Sequence, residues 1–102
     1  MNTYFICSNN LSTYELSNFI IHCPIDVIQF GLTWRIGNDE IARYIVSTQL
    51  LTIDDSKYDL NLEDNSLTIL SVEFTDEDVY QCRSLATDLF FNFNIIVYGE
   101  YI

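Results

Sequence analysis

The side chains able to carry chemistry in this 102-residue chain are few: one histidine, three cysteines, a large set of carboxylates and four basic residues. His22 directly precedes Cys23, and no Cys-x-x-Cys pair occurs, so the spacing of a zinc site is missing and no metal is expected. As a general base His22 would need a nucleophile beside it; none is placed there by the strand pattern, and an exposed or edge histidine is expected instead. The acidic clusters Asp54-Asp55, Glu63-Asp64 and Asp76-Glu77-Asp78 are candidates for calcium or for paired acid and base. None matches an EF-hand loop, and each falls where a turn is expected, so they read as solvated turns. Three scattered glycines make no phosphate loop, and there is no Gly-x-Ser-x-Gly elbow. The sequence therefore reads as no enzyme and implies no cofactor.

Composition narrows the class further. Hydrophobic residues form 49% of the chain and aromatics 15%, enough for a core and too many for disorder. A formal net charge of −11 argues against nucleic acid, which demands a positive footprint, and against anionic membrane surfaces. No apolar run approaches the roughly 18 residues of a membrane helix, so any membrane link is expected to be a tether outside this chain. The start, Met1-Asn2-Thr3-Tyr4-Phe5-Ile6-Cys7, lacks the basic and apolar regions of a signal peptide. That fits either a cytosolic protein or a mature ectodomain with an added start Met. Three cysteines allow one disulfide and one free thiol. Asn10-Leu11-Ser12 is a glycosylation sequon on an expected loop.

The elements that would position these groups are strands. Short β-branched and aromatic runs recur between polar turns, without helical periodicity. Strands are expected near Tyr4–Cys7, Asn18–Pro24, Phe30–Ile36, Ile41–Ser47, Lys57–Leu62, Ser66–Ser71, Asp78–Leu85 and Phe90–Tyr98, with a break over Ser8–Ser12. Alternation sets the faces. Phe19, Ile21 and Cys23 share one side, opposite Ile20 and His22. Leu32, Trp34 and Ile36 oppose Thr33 and Arg35, and Tyr80, Cys82 and Ser84 oppose Val79, Gln81 and Arg83. Phe91, Phe93, Ile95 and Val97 oppose Asn92, Asn94, Ile96 and Tyr98. Each strand thus offers an apolar face to a second sheet. Neither repeat nor linker is evident, so residues 1–102 read as one domain.

Three landmarks are set on these strands: Cys23, Trp34 on the next strand, and Cys82, preceded by Tyr80 in Asp76-Glu77-Asp78-Val79-Tyr80-Gln81-Cys82. From about Tyr14 to Tyr98 this resembles the immunoglobulin superfamily. Ser66-Leu67-Thr68-Ile69-Leu70-Ser71-Val72 is similar to its strand E, with Leu67, Ile69 and Val72 inward. The resemblance implies an all-β, two-sheet antiparallel sandwich of variable type, pinned by a Cys23–Cys82 disulfide under Trp34, with the Tyr80 hydroxyl capping backbone at a corner. It also implies an ion pair between Lys57, at the start of strand D, and Asp76. Asp78 departs from the family pattern, where a small residue is usual. The distance from Cys23 to Cys82 leaves only a short segment for strand C″, and the Phe-Gly-x-Gly of antigen-receptor joining segments is absent. Cys7 is left over, and a free thiol is expected there. Ser66-Leu67-Thr68-Ile69, Thr75-Asp76-Glu77-Asp78-Val79-Tyr80 and Phe93-Asn94-Ile95-Ile96-Val97-Tyr98 are also similar to the signalling-lymphocyte-activation-molecule group of lymphocyte adhesion receptors. Members of that group bind another immunoglobulin domain through the sheet of strands G, F, C and C′, and commonly lack the inter-sheet disulfide.

These resemblances make the domain an extracellular, secreted or cell-surface recognition module for another protein, itself immunoglobulin-like. The expected contacts are Thr33, Arg35, Arg43, Gln81, Arg83, Ile96 and Tyr98 on the G-F-C-C′ face. The arginines would meet a partner's carboxylates, and Ile96 and Tyr98 would anchor it through apolar contact. The facing of Arg43 is open, and the arginines could equally form cross-strand pairs with nearby acids. Two other roles stand beside this one: a structural module of a longer chain, and a virus-encoded mimic of a host immune receptor. The richness in Asn, Ile, Tyr and Phe, as AT-rich coding would give, motivates the latter.

Overall fold

The computed structural model describes residues 8–25 and 29–99. The expected strand at Tyr4–Cys7, and with it Cys7, lies outside the described residues. Nine strands follow in order: β1 (Ser8–Tyr14), β2 (Phe19–Ile21), β3 (Gly31–Ile36), β4 (Asp39–Ile45), β5 (Leu50–Ile53), β6 (Tyr58–Asn61), β7 (Ser66–Ile69), β8 (Asp78–Ser84) and β9 (Phe90–Tyr98). They form a six-stranded sheet, β1-β9-β8-β3-β4-β5, facing a three-stranded sheet, β2-β7-β6. In immunoglobulin letters these are A′GFCC′C″ and BED, the variable-type arrangement.

Two elements differ from the sequence reading. Ser8–Ser12, expected as a break, belongs to β1, which pairs in parallel with β9 along its whole length, Ser8 opposite Asn92 through Tyr14 opposite Tyr98. Polar Ser and Asn have low strand propensity, but the ladder offered by β9 overrides it at this sheet edge. Among the described residues the sandwich is thus antiparallel except at this one pairing, and Asn10 lies in a strand rather than a loop. Leu50–Ile53 forms β5, which pairs with β4 and fills the short segment left for strand C″.

Where the sequence puts turns, side-chain carboxylates hold them. Asp54 accepts hydrogen bonds from Ser56 Oγ and the Ser56 amide, and Asp64 does the same for Ser66. These hydrogen bonds, side chain before backbone, hold the exposed Asp64 carboxyl below its ordinary range. Among the described residues, no group of three or more His, Cys, Asp or Glu is disposed to hold a metal.

The core is what the landmarks predict. Ile21, Trp34, Leu67, Ile69, Val72, Tyr80, Cys82 and Ile95 are completely buried. Cys23 and Cys82 form the disulfide, with Cα atoms 6.1 Å apart across 59 positions. In the chain-entropy account, a loop of this length contributes roughly 4 kcal/mol. Trp34 stands opposite Cys82 in register, lies 5.8 Å from the Phe93 ring, and donates its indole N–H to the Asn65 carbonyl at 3.2 Å. Burying an indole leaves its N–H needing an acceptor, and the turn between β6 and β7 supplies one.

At the lower corner a single turn of 3-10 helix, Phe74–Asp76, leads into β8. Tyr80 Oη donates to the Asp76 carbonyl at 2.8 Å, and burial pushes its phenol far above the ordinary range. Lys57 Nζ lies 2.6 Å from Asp76 Oδ2, and the Glu73 amide donates to the same oxygen at 2.7 Å. The ion pair expected from the resemblance is therefore formed, and it ties β6 to the turn before β8.

Candidate functional site

The outward side of the six-stranded sheet is built by the alternation that buries its inward side. Because Trp34 and Cys82 point into the core, Thr33, Arg35, Gln81 and Arg83 point away from it. Thr33 is in register with Arg43 on β4 and with Arg83 on β8. That register settles the facing of Arg43: it lies on the same side, in a row that runs Thr52, Arg43, Thr33, Arg83, Phe90 across five strands. The adjacent row carries Arg35, Gln81 and Asn92, with Gln81 Nε2 donating to Asn92 Oδ1 at 3.0 Å. Beyond it Asn94 donates to Asn10 at 3.3 Å.

Thr33 differs from expectation. It faces outward but is only 2% exposed, standing in register between Arg43 and Arg83. It is the floor of the face rather than an accessible contact. Arg35, Arg43, Gln81 and Arg83 surround it. Ile96 and Tyr98 are not brought to this cluster. At about 3.4 Å per residue, they lie about 20 Å and 27 Å along β9 from Phe90, the strand partner of Arg83. Ile96 is half-buried, whereas Tyr98 is exposed and packs at 6.1 Å against Tyr14 of β1.

The four basic residues fare differently. Lys57 is absorbed by Asp76, with Glu73 at 3.8 Å. Arg43 holds Glu40 on its own strand with three short contacts of 2.8–3.1 Å, and the Glu40 hydrogen bonds and charge raise its pKa. The guanidinium of Arg35 donates to the Asn38 carbonyl at 2.9 Å, and that of Arg83 lies 5.7 Å above the Phe90 ring. Among the described residues neither Arg35 nor Arg83 forms an ion pair. The cross-strand acid pairs weighed for these residues are therefore not formed; the one pair on this face runs along β4.

Among the described residues acids are few on the same sheet, and Glu40, in register with Arg35, is the one that meets this face. On the six-stranded sheet the described carboxylates are Asp39, Glu40 and Asp78, all at strand starts. The others occupy turns, the corner before β8, or β6 on the opposite sheet. A cavity of about 270 Å³ opens between β4–β5 and Tyr58, lined in part by Glu40, Thr52 and Asp54. Burial, with Asp76 and Asp54 nearby, raises the Tyr58 phenol there. His22, just past β2, is exposed, with Nδ1 4.0 Å from Asp64 Oδ2.

An apolar margin that the sequence reading missed borders the arginine row. Ile45 follows Arg43 by two residues on the same face, and Leu50 is its partner on β5. On the other side of Ile45 stands Gly31, whose amide plane approaches Tyr44 so closely that a Cβ would strike the Tyr44 carbonyl oxygen. Its φ of +152° is likewise reserved for glycine. The space left by the absent side chain is taken by Leu85, whose Cδ1 would lie 2.8 Å from such a Cβ. Leu50 is 58% exposed and Phe90 45%, while Ile45 and Leu85 are half-buried. The Ile45–Leu50 pair needed β5 to be seen.

Neither a protein-family model nor a curated protein sequence matches this chain. Solved structures do. The chain is similar to the first immunoglobulin-like domain of human CD48, with a TM-score of 0.80 at 12% identity, covering 100% of this chain and 91% of that one. It resembles the CD2-binding domain of CD58, lymphocyte function-associated antigen 3, with a TM-score of 0.74 at 22% identity over 88% of this chain. It spans about half of that structure's chain, 53%. It also resembles the extracellular domains of the voltage-gated sodium channel β4 subunit, solved as parallel homodimers with a role in cell–cell adhesion (TM-score 0.75, 15% identity, 99% of this chain and 93% of that one). Two sheets in A′GFCC′C″ and BED order, the inter-sheet disulfide under Trp34, the Tyr80 corner and these likenesses together establish the fold as that of a variable-type immunoglobulin domain.

Proposed function

We propose that this domain is an extracellular recognition module that binds another protein, itself immunoglobulin-like, through the outward side of the β9-β8-β3-β4 sheet. The observation that carries this reading is the placement of charge. In a chain of net charge −11, three of the four basic residues gather on one sheet face, and two of them have no carboxylate partner among the described residues. A folding role would be served by pairing them; leaving guanidinium groups open on a flat sheet suits a partner's carboxylates. The structural neighbours support a recognition role, since one is the CD2-binding domain of CD58 and another serves cell–cell adhesion. Asn10 is the glycan acceptor in this reading: it is exposed on β1, and its side-chain oxygen meets only Asn94 among the described residues.

The test is staining of leukocytes with the tetramerised domain beside an Arg35→Glu/Arg83→Glu variant whose fold is checked by circular dichroism. Binding by the wild type and not by the variant supports the sheet face. Equal binding moves the site to the loops or the other sheet.

A second reading, a structural module of a longer chain, draws on the opposite end of the sheet. Tyr14, Leu16, Phe74 and Tyr98 are all exposed there, and Phe74 lies close to Gly99 where β9 ends. Failure to stain any leukocyte would put that role ahead.

A further inference from the structure

Resting on the sheet-face reading above, the geometry points to a heterologous protein partner that presents two carboxylates beside an apolar side chain, seated on Arg35 and Arg83 and on the margin of Phe90, Leu85, Ile45 and Leu50.

The two carboxylates follow from register. Thr33 pairs with Arg83 and Arg35 with Gln81, so Arg35 and Arg83 are diagonal neighbours on adjacent strands, on the order of 7–8 Å apart. Neither guanidinium forms an ion pair: that of Arg35 donates to the Asn38 carbonyl while Glu40, opposite it in register, is held by Arg43, and that of Arg83 rests on the Phe90 ring. Both keep donors free for a carboxylate, and the pair forms a fork that two acids on one partner segment can occupy. Arg43 is a poorer recipient, because Glu40 already engages it with three contacts.

The apolar side chain follows from the margin. Phe90 carries Arg83 on its ring and is itself 45% exposed, so a partner reaching Arg83 covers Phe90 as well. Leu50 lies at the far end of the same strip, with Ile45 and Leu85 on either side of Gly31 between them. Burying aromatic and aliphatic groups beside desolvated arginines is how a small patch concentrates binding energy. The Ile96–Tyr98 end has no guanidinium group: the Asn94–Asn10 row separates it from Arg35, and that row together with the Arg35–Gln81–Asn92 row separates it from Arg83.

The heterologous partner follows from charge. A two-fold, face-to-face pair of copies presents the same patch on both sides, setting arginine against arginine: Glu40, the described carboxylate in register with the outward row, is already held by Arg43, while Asp39 and Asp78 stand opposite the inward-phase Ile36 and Ile95. The acidic remainder of the domain repels an acidic partner in every other orientation, so attraction is confined to poses that put carboxylates on these two arginines.

The test pans a disulfide-closed random peptide library, displayed on phage, against the folded domain, with the Arg35→Glu/Arg83→Glu variant as counter-selection. Enriched peptides are expected to carry two Asp or Glu next to Leu, Tyr, Phe or Trp, and to shift the amide resonances of Arg83, Phe90 and Leu50. Their affinity is expected to fall about tenfold with Arg83→Ala and several-fold with Phe90→Ser, to be partly kept by Arg83→Lys, and to be unchanged by Tyr98→Ser. Basic or neutral peptides, no enriched family, or sensitivity to Tyr98 rather than Arg83 would overturn the proposal. So would a concentration-dependent dimer, seen by sedimentation, that the double variant abolishes. Leukocyte staining that depends on Arg35 and Arg83 alongside non-acidic peptides sinks the acidic partner and leaves the face; staining indifferent to both arginines removes the face itself.

Discussion

The two sides of the six-stranded sheet come from the same strands, one residue out of step, and have nothing else in common. Inward stand Trp34, Tyr80, Cys82, Phe93 and Ile95, at 0–3% exposure, each fixed by a disulfide, a hydrogen bond or packing. Outward stand Arg35, Gln81, Arg83, Asn92 and Asn94, half-buried and held by side-chain hydrogen bonds and, at Arg83, by a cation–π contact with Phe90. Energy that holds the fold is concentrated on one side, and chemistry able to meet another molecule on the other. The difference implies that folding and recognition can be lost separately, residue by alternate residue.

The sharpest way to break that separation is Trp34→Ala. Loss of the buried indole should cost about 3–5 kcal/mol by denaturant unfolding and abolish binding only by unfolding the domain. Replacing Cys23 and Cys82 together by alanine should cost about 2–5 kcal/mol, so that a domain surviving at low temperature still presents its outward face. Asp76→Asn removes the charge that faces Lys57 behind the core and should cost about 1–3 kcal/mol, because Lys57 is only partly buried and water can reach it. Tyr80→Phe keeps the ring and loses the corner hydrogen bond, for about 1–1.5 kcal/mol. Arg35→Glu/Arg83→Glu should change the unfolding free energy by no more than about 1 kcal/mol, since neither arginine is paired with an acid and the new carboxylate opposite Glu40 adds only one exposed like-charge contact. A large loss of stability in that variant would show that the outward face also holds the fold.

Two finer measurements sharpen the comparison. Expression through a secretory pathway should add a glycan that Asn10→Gln and Ser12→Ala both remove, read by intact mass, with unfolding unchanged. Asp64, on neither side of this sheet, is a control. Its pKa is lowered in the fold, so its contribution is present at neutral pH and disappears as pH falls through the folded value. Ser66→Ala should move that titration upward toward the ordinary carboxylate range, read by carbonyl NMR shifts.

Much of this was legible in the chain. Cys23, Trp34, Tyr80 and Cys82, each on the apolar phase of a strand, foretold the sandwich, and the Lys57–Asp76 pair followed from the resemblance they carry. Period-two alternation gave the outward facing of Arg35, Gln81 and Arg83, because any residue beside a core position in a strand must face away from the core. What escaped shares one cause. The strand in Ser8–Tyr14 exists because β9 offers it a ladder, which its own Ser and Asn residues do not advertise. The side Arg43 faces, the burial of Thr33 and the apolar margin at Leu50 depend on which strands lie beside which.

The sequence by itself determined the class of fold and the side on which the residues of the second, third and last two expected strands lie, since these follow from local alternation and from a few residue types that suit a core; the disulfide pairing came with the family resemblance those residues carry. Tertiary structure alone decided that Arg35 and Arg83 stand diagonal and without a carboxylate partner among the described residues, that Arg43 is occupied by Glu40, and that Ile96 and Tyr98 lie far down the strand. The physical reason is register: strand order and pairing set which outward side chains share a row, and no periodicity within one strand encodes its neighbour's offset.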